Sequence, residues 1–419
     1  MCNGTIMDKL ISFSIPLMLS GILQLMFNAV DIVVVGRFSG SQALAAVGST
    51  TALINVFTNL FIGISLGANV LAARYYAAGK TKEMSETVHT AIALALVSGV
   101  AMAVIGVVFA RGALEIMGTP DDVIAKSTLY MRIYFCGMPF FMMYNYGAAI
   151  LRAVGDTKRP LIFLIVSGVI NAVLNLFLVI GFHLDVAGVG IATVISQLVS
   201  CILVLRCLHH TESSYQLHLA KLRIRSVYLK QIFEVGVPAG IQSTVINISN
   251  AMLQSSVNSF GSIAMAGYTA SNNIFGFLYV SVNSFTQACM SFTSQNYGVK
   301  KLKRMDRVLI DCMILSVVVT LILGSSVYIF GPELLHIYSN QADVIKYGME
   351  IFSYTTVTYF LCGLMDLFPG ALRGMGYSTV PMILSIIGTV GVRIIWIYGL
   401  FPSYLSLIHI SEPTRHAQI

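Results

Sequence analysis

The residues around Arg152 and Arg373 repeat one another at a spacing of 221, so this chain reads as one folding unit used twice. Ala149-Ile150-Leu151-Arg152-Ala153-Val154-Gly155 answers to Gly370-Ala371-Leu372-Arg373-Gly374-Met375-Gly376, and Pro160 answers to Pro381. Asp122-Val123-Ile124 falls on Asp343-Val344-Ile345, Tyr76 falls on Tyr297, and Pro16 lands within one residue of the frame at Pro238. In an apolar chain, two homologous halves point to a transporter whose path runs between the repeats.

The solvent of this chain is lipid. With 56% hydrophobic and 10% charged residues, no soluble surface covers it. Apolar stretches recur near residues 10–35, 43–73, 88–110, 123–151, 160–182, 187–207, 228–258, 264–296, 306–330, 344–372 and 380–402. Crossing hydrocarbon takes about 17 or more apolar residues, which predicts about eleven helical spans. Backbone polar groups in lipid need internal partners, and stretches this long meet that need as helices, not as strands of about ten residues. The first span runs on without a small-residue cleavage site, so it is no removable signal peptide. The expected fold is all-α and polytopic: an N-lobe over 1–208 (spans one to six), a polar linker over 209–227, a C-lobe over 228–402 (spans seven to eleven) and a tail over 403–419.

The net charge of +7 does not indicate nucleic acid, because the cations sit in alternate loops. Lys9; Arg74, Lys80 and Lys82; Arg152, Lys158 and Arg159; Arg206, Lys221, Arg223, Arg225 and Lys230; Lys300, Lys301, Lys303, Arg304 and Arg307; and Arg373 fall on one side. The other side carries Arg37, Arg111, Lys126 and Lys346. This bias places the N-terminus in the cytoplasm and gives each half an even number of spans, so the repeats are parallel. The seven cysteines show no C-x-x-C pair and read as reduced, buried small residues.

Two enzyme-like fragments fail on context. Gly79-Lys80-Thr81 resembles the end of a phosphate-binding loop, but Arg74 stands where its first glycine belongs. Gly63-Ile64-Ser65-Leu66-Gly67 matches a nucleophile elbow in letters, yet glycines four apart in an apolar run are the means by which membrane helices approach closely. No histidine pattern indicates a catalytic metal. The chain reads as a non-enzyme.

Polar residues within the spans carry the functional signal, since a charge at membrane depth is costly. Asp31 follows Gln24 and Asn28 on the first helix, a stripe expected to face inward. Asn171 and Asn175 share a face of the fifth span, as do Thr193 and Gln197 of the sixth. Together they offer one carboxylate and several neutral oxygens, suited to Na⁺ or to a proton on a desolvated carboxylate. The second half has no copy of Asp31: its frame gives Met252, or Leu253 with the one-residue shift. Asp366 in the tenth span is a second acidic candidate, while Arg132 and Arg393 are intramembrane cations, with snorkelling the expectation for Arg132. Pro16, Pro139, Pro238 and Pro369 interrupt spans and are natural bending points.

Over residues 5–402 the chain resembles the multidrug and toxic compound extrusion (MATE) transporters. The resemblance rests on Phe27-Asn28-Ala29-Val30-Asp31 through Val35-Gly36-Arg37, Leu151-Arg152-Ala153-Val154-Gly155-Asp156, Gln295-Asn296-Tyr297-Gly298 and Leu372-Arg373-Gly374-Met375-Gly376. It implies two six-helix bundles around a V-shaped cavity in a bacterial cytoplasmic membrane. It also implies a monomer that exports cationic or amphipathic drugs or metabolites by alternating access against Na⁺ or H⁺, with no other cofactor. Asp31, Asn171, Asn175 and Thr193 match the family's coupling-ion positions; Gln24, Asn28, Gln197 and Asp366 are then candidates for the substrate cavity. Some members carry an acid eight residues after the seventh-helix proline, where this chain has Ile246.

The tail departs from the repeat. A twelfth span is due from about Ile408, but Ile408-His409-Ile410-Ser411-Glu412-Pro413-Thr414-Arg415-His416-Ala417-Gln418-Ile419 is too polar to cross a membrane and resembles translated adapter sequence. The expectation is a non-native tail in place of the twelfth helix. A lipid-linked oligosaccharide or peptidoglycan-precursor flippase is the rival function, and would call for Arg132 and Arg393 facing the cavity. A channel is disfavoured by the lack of repeated pore loops.

Overall fold

The structure is a computed structural model that describes residues 1–258 and 261–400. Among these residues it is helical without strands. The first half comprises α1 (Met7–Phe38), α2 (Ser41–Ala77), α3 (Thr81–Ile116), α4 (Asp121–Cys136), α5 (Met138–Ala153), α6 (Lys158–Leu176) and α7 (Asp185–His209). The second comprises α8 (Ser226–Asn258), α9 (Ser262–Gly298), α10 (Leu302–Ile329), the short α11 (Gly331–His336), α12 (Ala342–Gly374), α13 (Thr379–Ser385) and α14 (Val392–Ile395). A π-turn at Phe177–Gly181 extends α6, and π-turns at Ile386–Gly391 and Trp396–Leu400 flank α14. The expected twelfth span and non-native tail lie outside the described residues.

Eight helical segments are long and apolar enough to cross a membrane by length and composition. The other three expected spans differ for physical reasons. The fourth is α4 followed by α5, split at Gly137 because Pro139 has no N–H to continue α4 and instead occupies the first turn of α5. α8 and α9 are long enough but rich in amide and hydroxyl side chains. Pro16, Pro238 and Pro369 lie inside helices that run on through them, so only Pro139 coincides with a break. Val104, Val108 and Phe109 on the outer face of α3 are 59%, 62% and 64% exposed, an apolar surface that suits lipid. Cys136 and Cys362 are likewise exposed, which corrects the expectation that all the cysteines are buried.

The repeat is written into the backbone. Left-handed residues recur at the sequence spacing: Gly40 with Gly261, Gly79 with Lys300, and Gly155 with Gly376, the last pair at φ 99° and 98°. Glycine enters this region freely, whereas Lys300 at φ 58° does so at a cost.

The halves meet where α2 lies along α8, and where α1 and α2 lie against α9. Close backbone approaches between them fall in the stretches of α2 and α8 nearer the basic loops and at Gly298 beside Arg74. A Cβ on Gly63 would land on the backbone of Gly240, one on Gly67 on the carbonyl of Ile232, and one on Gly236 on the backbone of Ile64. Glycines four apart on each helix therefore bring main chain against main chain.

One pair of polar bonds across the same seam obeys the repeat. Arg74 Nη2 donates to the Met375 carbonyl at 3.0 Å, and Gln295 Nε2, at the equivalent place in the second half, donates to the Ala153 carbonyl at 2.7 Å. Two further bonds cross without a repeat counterpart, Ser291 Oγ donating to Asn69 Oδ1 (3.1 Å) and Ser294 Oγ to Val70 O (2.6 Å), while Asn69 donates within its own half to Ala149 O (2.8 Å). The linker after α7 is strapped to α3: Arg223 and Arg225 pair with Glu86 at 2.5 and 3.2 Å, and the His218 N–H donates to His89 Nε2 at 3.1 Å.

Candidate functional site

Asp31 is brought to α6 by a close approach of two helices. A Cβ on Gly168 would fall on the Phe27 ring, so the absent side chain lets α1 settle onto α6. One turn beyond Phe27 lies Asp31, and one and two turns beyond Gly168 lie Asn171 and Asn175. The Asn175 Nδ2 group donates to Asp31 Oδ1 and, at 3.3 Å, to Asn171 Oδ1. Asn171 and Asn175 are both buried. Asn175 Oδ1 is buried with no hydrogen-bond partner, an idle acceptor beside a carboxylate.

Carboxylate and amide oxygens are hard donors, which suits Na⁺, and a desolvated carboxylate suits a proton equally well. Asn175 sits immediately before the π-turn at Phe177–Gly181, a local widening often found at functional sites. Tyr130 and Tyr134 of α4 approach closely enough for their phenols to interact electrostatically with Asp31. Neither was singled out from sequence, because a tyrosine in an apolar helix gives no signal that separates core from site.

The other candidates are more dispersed. The Thr193 hydroxyl donates to the Val189 carbonyl of its own helix at 2.9 Å, which leaves its lone pairs as the part available to a cation. Gln197 Oε1 is buried without a hydrogen-bond partner and lies against Gly137, where a Cβ would meet it at 2.6 Å. Gln24 and Asn28 are exposed and do not join the Asp31 cluster. Asp366 lies in the second half on α12, half-buried and in electrostatic reach of Arg373 and Tyr279.

The intramembrane arginines part ways. Arg132 is exposed and donates from Nε to the Val107 carbonyl at 3.2 Å, and among the described residues it forms no ion pair. Arg393 donates from Nη1 to Asn250 Oδ1 at 2.6 Å and Ser249 Oγ at 3.3 Å. By the repeat, α8 is the counterpart of α1 and the α13–α14 segment that of α6. The same pair of helices therefore joins an acid to an amide in the first half and an amide to an arginine in the second, at different register positions: in the 221-residue frame Arg393 falls on Ala172 and Asn250 on Ala29.

Comparison with known proteins bears on this arrangement. The MatE family model matches residues 16–177 and again 238–398, one match per half. The chain is 30% identical over 389 residues to the Bacillus subtilis protein named "Probable multidrug resistance protein YoeA", covering 91% of this chain and 84% of the relative. It is 23% identical to "Multidrug export protein MepA" of Staphylococcus saprophyticus, over 95% of this chain and 89% of that protein. A solved "Outward-facing conformation of a multidrug resistance MATE family transporter of the MOP superfamily" superposes with a TM-score of 0.88 at 20% identity, covering 94% of this chain and 89% of the other. A MOP superfamily transporter from Pyrococcus furiosus gives the same TM-score of 0.88 at 21% identity, over 94% and 89% of the two chains. Likeness at these identities establishes the two-lobed fold.

Proposed function

From the premise that this chain belongs to the MatE family, which its two family-model matches show, we propose a secondary active multidrug exporter. It moves cationic or amphipathic small molecules outward in exchange for Na⁺ or H⁺ moving inward, by alternating access between the lobes. The observation that carries this reading is the Asp31–Asn175–Asn171 cluster: a carboxylate within a span, held by an amide and beside an unpartnered amide oxygen. Asp31 binds the coupling ion with Asn171, Asn175 and Thr193. Gln24, Asn28, Gln197 and Asp366 line the path of the cargo.

With the basic loops taken as cytoplasmic by the positive-inside rule, the glycine seam lies on the cytoplasmic side of the bacterial cell membrane and the lobes are closed inward in this state. The protein works as a monomer. One cation moved inward through about 100 mV yields about 2.3 kcal/mol, enough for a drug gradient of roughly fiftyfold. The relatives named for multidrug export and resistance support the substrate class.

The test is ethidium efflux from drug-sensitive cells expressing wild type or Asp31→Asn, under imposed Na⁺ or pH gradients. Efflux that follows one gradient and is lost in the variant names the ion. Wild type that moves no cationic drug, or a variant that works as well, overturns the reading and directs the assay to a lipid-linked substrate, for which Arg393 would be the anchor.

A further inference from the structure

On the basic face, where the α2–α3 and α9–α10 loops meet, the seam forms an open pocket of about 330 Å³. Arg74, Tyr75 and Lys80 line it from the first half, and Tyr297, Gly298 and Lys300 from the second. Three cations line it and no carboxylate does. The Arg74 guanidinium lies 4.9 Å over the Tyr297 ring, with Nη2 on the Met375 carbonyl, but its buried Nε has no hydrogen-bond partner. The Lys80 ammonium hovers 5.9 Å from the Tyr75 ring, a cation on an aromatic face and not on an acceptor.

Lys300 adds an independent sign. Its repeat counterpart is Gly79, and both hold a left-handed backbone, so a lysine stands where glycine would be free of strain. Neighbouring cations are occupied elsewhere: Lys301 holds Cys2 O and Asn3 Oδ1, and Arg304 holds Met1, Asn3 and Gly4 carbonyls. Lys80 and Lys300 are exposed, and among the described residues neither ammonium is in a hydrogen bond or ion pair. Like charges gathered at one pocket repel each other, weakly where the lysines are exposed and with Glu83 in electrostatic reach of Tyr75, and an anion among them relieves that repulsion.

We propose that this pocket binds a phosphate-class oxyanion, supplied by an anionic lipid headgroup or by a free phosphate, and that its occupation holds the lobes together on this face. Guanidinium and ammonium groups together suit a phosphate: the first supplies directed N–H donors, the second point charge. Because each lobe supplies part of the wall, and Gly298 rests on the Arg74 backbone carbonyl, parting the lobes dismantles the site. A ligand that binds only the joined arrangement favours that arrangement by its full binding energy. Binding here does not depend on which drug or coupling ion the protein carries.

The full chain is placed in phosphatidylcholine nanodiscs and titrated calorimetrically with inorganic phosphate; in parallel, its thermal stability is compared with and without phosphatidylglycerol in the disc. The double variant Lys80→Gln/Lys300→Gln removes two charges from the pocket. Lys82→Gln/Lys303→Gln removes two exposed charges from the same face outside it. Wild type is expected to respond to phosphate, to phosphatidylglycerol, or to both. Response to phosphate alone names a free oxyanion as the ligand, and response to the lipid alone names the headgroup. The pocket variant weakens phosphate binding by roughly tenfold, about 1.4 kcal/mol, and loses the lipid effect; the control variant keeps both within about twofold. Lys300→Gly guards against misfolding, since it relieves the backbone yet is expected to lose response. No response in wild type, or equal losses in both double variants, overturns the proposal.

Discussion

Asn175 on α6 gives its amide N–H to the Asp31 carboxylate on α1, while its own buried carbonyl oxygen has no hydrogen-bond partner. The residue thus orients the acid with one end and offers a ligand with the other. Replacing it separates ion binding from cargo movement. Asn175→Leu removes a hydrogen bond to a charged group, worth about 1.5–3 kcal/mol, so the coupling ion is expected to bind roughly tenfold or more weakly. Efflux measured against ion concentration should shift to higher ion and recover much of its maximum. An unshifted curve would remove Asn175 from the ion site.

The glycine seam is intolerant of side chains because the opposing atoms are backbone, which cannot rotate away. Gly63→Ala or Gly240→Ala forces the lobes apart at this face at about 1–3 kcal/mol, which tilts the equilibrium between the two access states by roughly 5- to 150-fold. Cysteine accessibility on the basic side of the cavity should rise in these variants. Unchanged accessibility together with full transport would mean the seam is not the gate.

Gln295 spans the lobes through a buried bond from its Nε2 to Ala153 O, while its Oε1 accepts from Cys2 Sγ at 3.9 Å. Gln295→Leu leaves that carbonyl unpaired at a cost of about 1–3 kcal/mol, while Gln295→Glu cannot donate and should be no better. Both are expected to speed hydrogen exchange at the ends of α5 and α9, leaving α10 unaffected. Uniform loss across the chain would indicate general unfolding instead.

Glu86 anchors the linker by two arginines whose side chains are themselves about half exposed. Exposed pairs contribute at most about 1 kcal/mol, so Glu86→Gln should raise tryptic cleavage after Arg223 or Arg225 by no more than about fivefold, with the difference shrinking in high salt. Drug efflux should be unaffected. A variant that cleaves at the wild-type rate would show the strap to be idle.

Much of this was readable beforehand because membranes impose simple rules. Span length, the loop cations and the 221-residue register led to helices, halves and order, and the register reappears in the backbone at Gly155 and Gly376. Asp31 and the two asparagines stood out because polarity inside lipid is conspicuous. What stayed hidden depends on distances across the repeat. Gln295 reads as one more polar residue until it is set on Arg74, its counterpart one register back, and both prove to reach into the opposite lobe. The missing copy of Asp31 was visible in the sequence, but not that Arg393 bonds Asn250 across the equivalent pair of helices. The fourth span read as one helix because hydropathy is blind to the break that Pro139 imposes.

The glycines of α2 and α8 bear also on water. Every time the lobes part, whatever lined the seam is wetted, and a leucine taken from protein to water costs about 1.5–3 kcal/mol. At Gly63, Gly67, Gly236 and Gly240 there is no side chain to wet, and the main chain uncovered there is already hydrogen-bonded within its own helix. At those four positions the joint closes through shape and exposes no side chain on opening, so the oil wetted there is confined to neighbours such as Val70, Val235 and Met290.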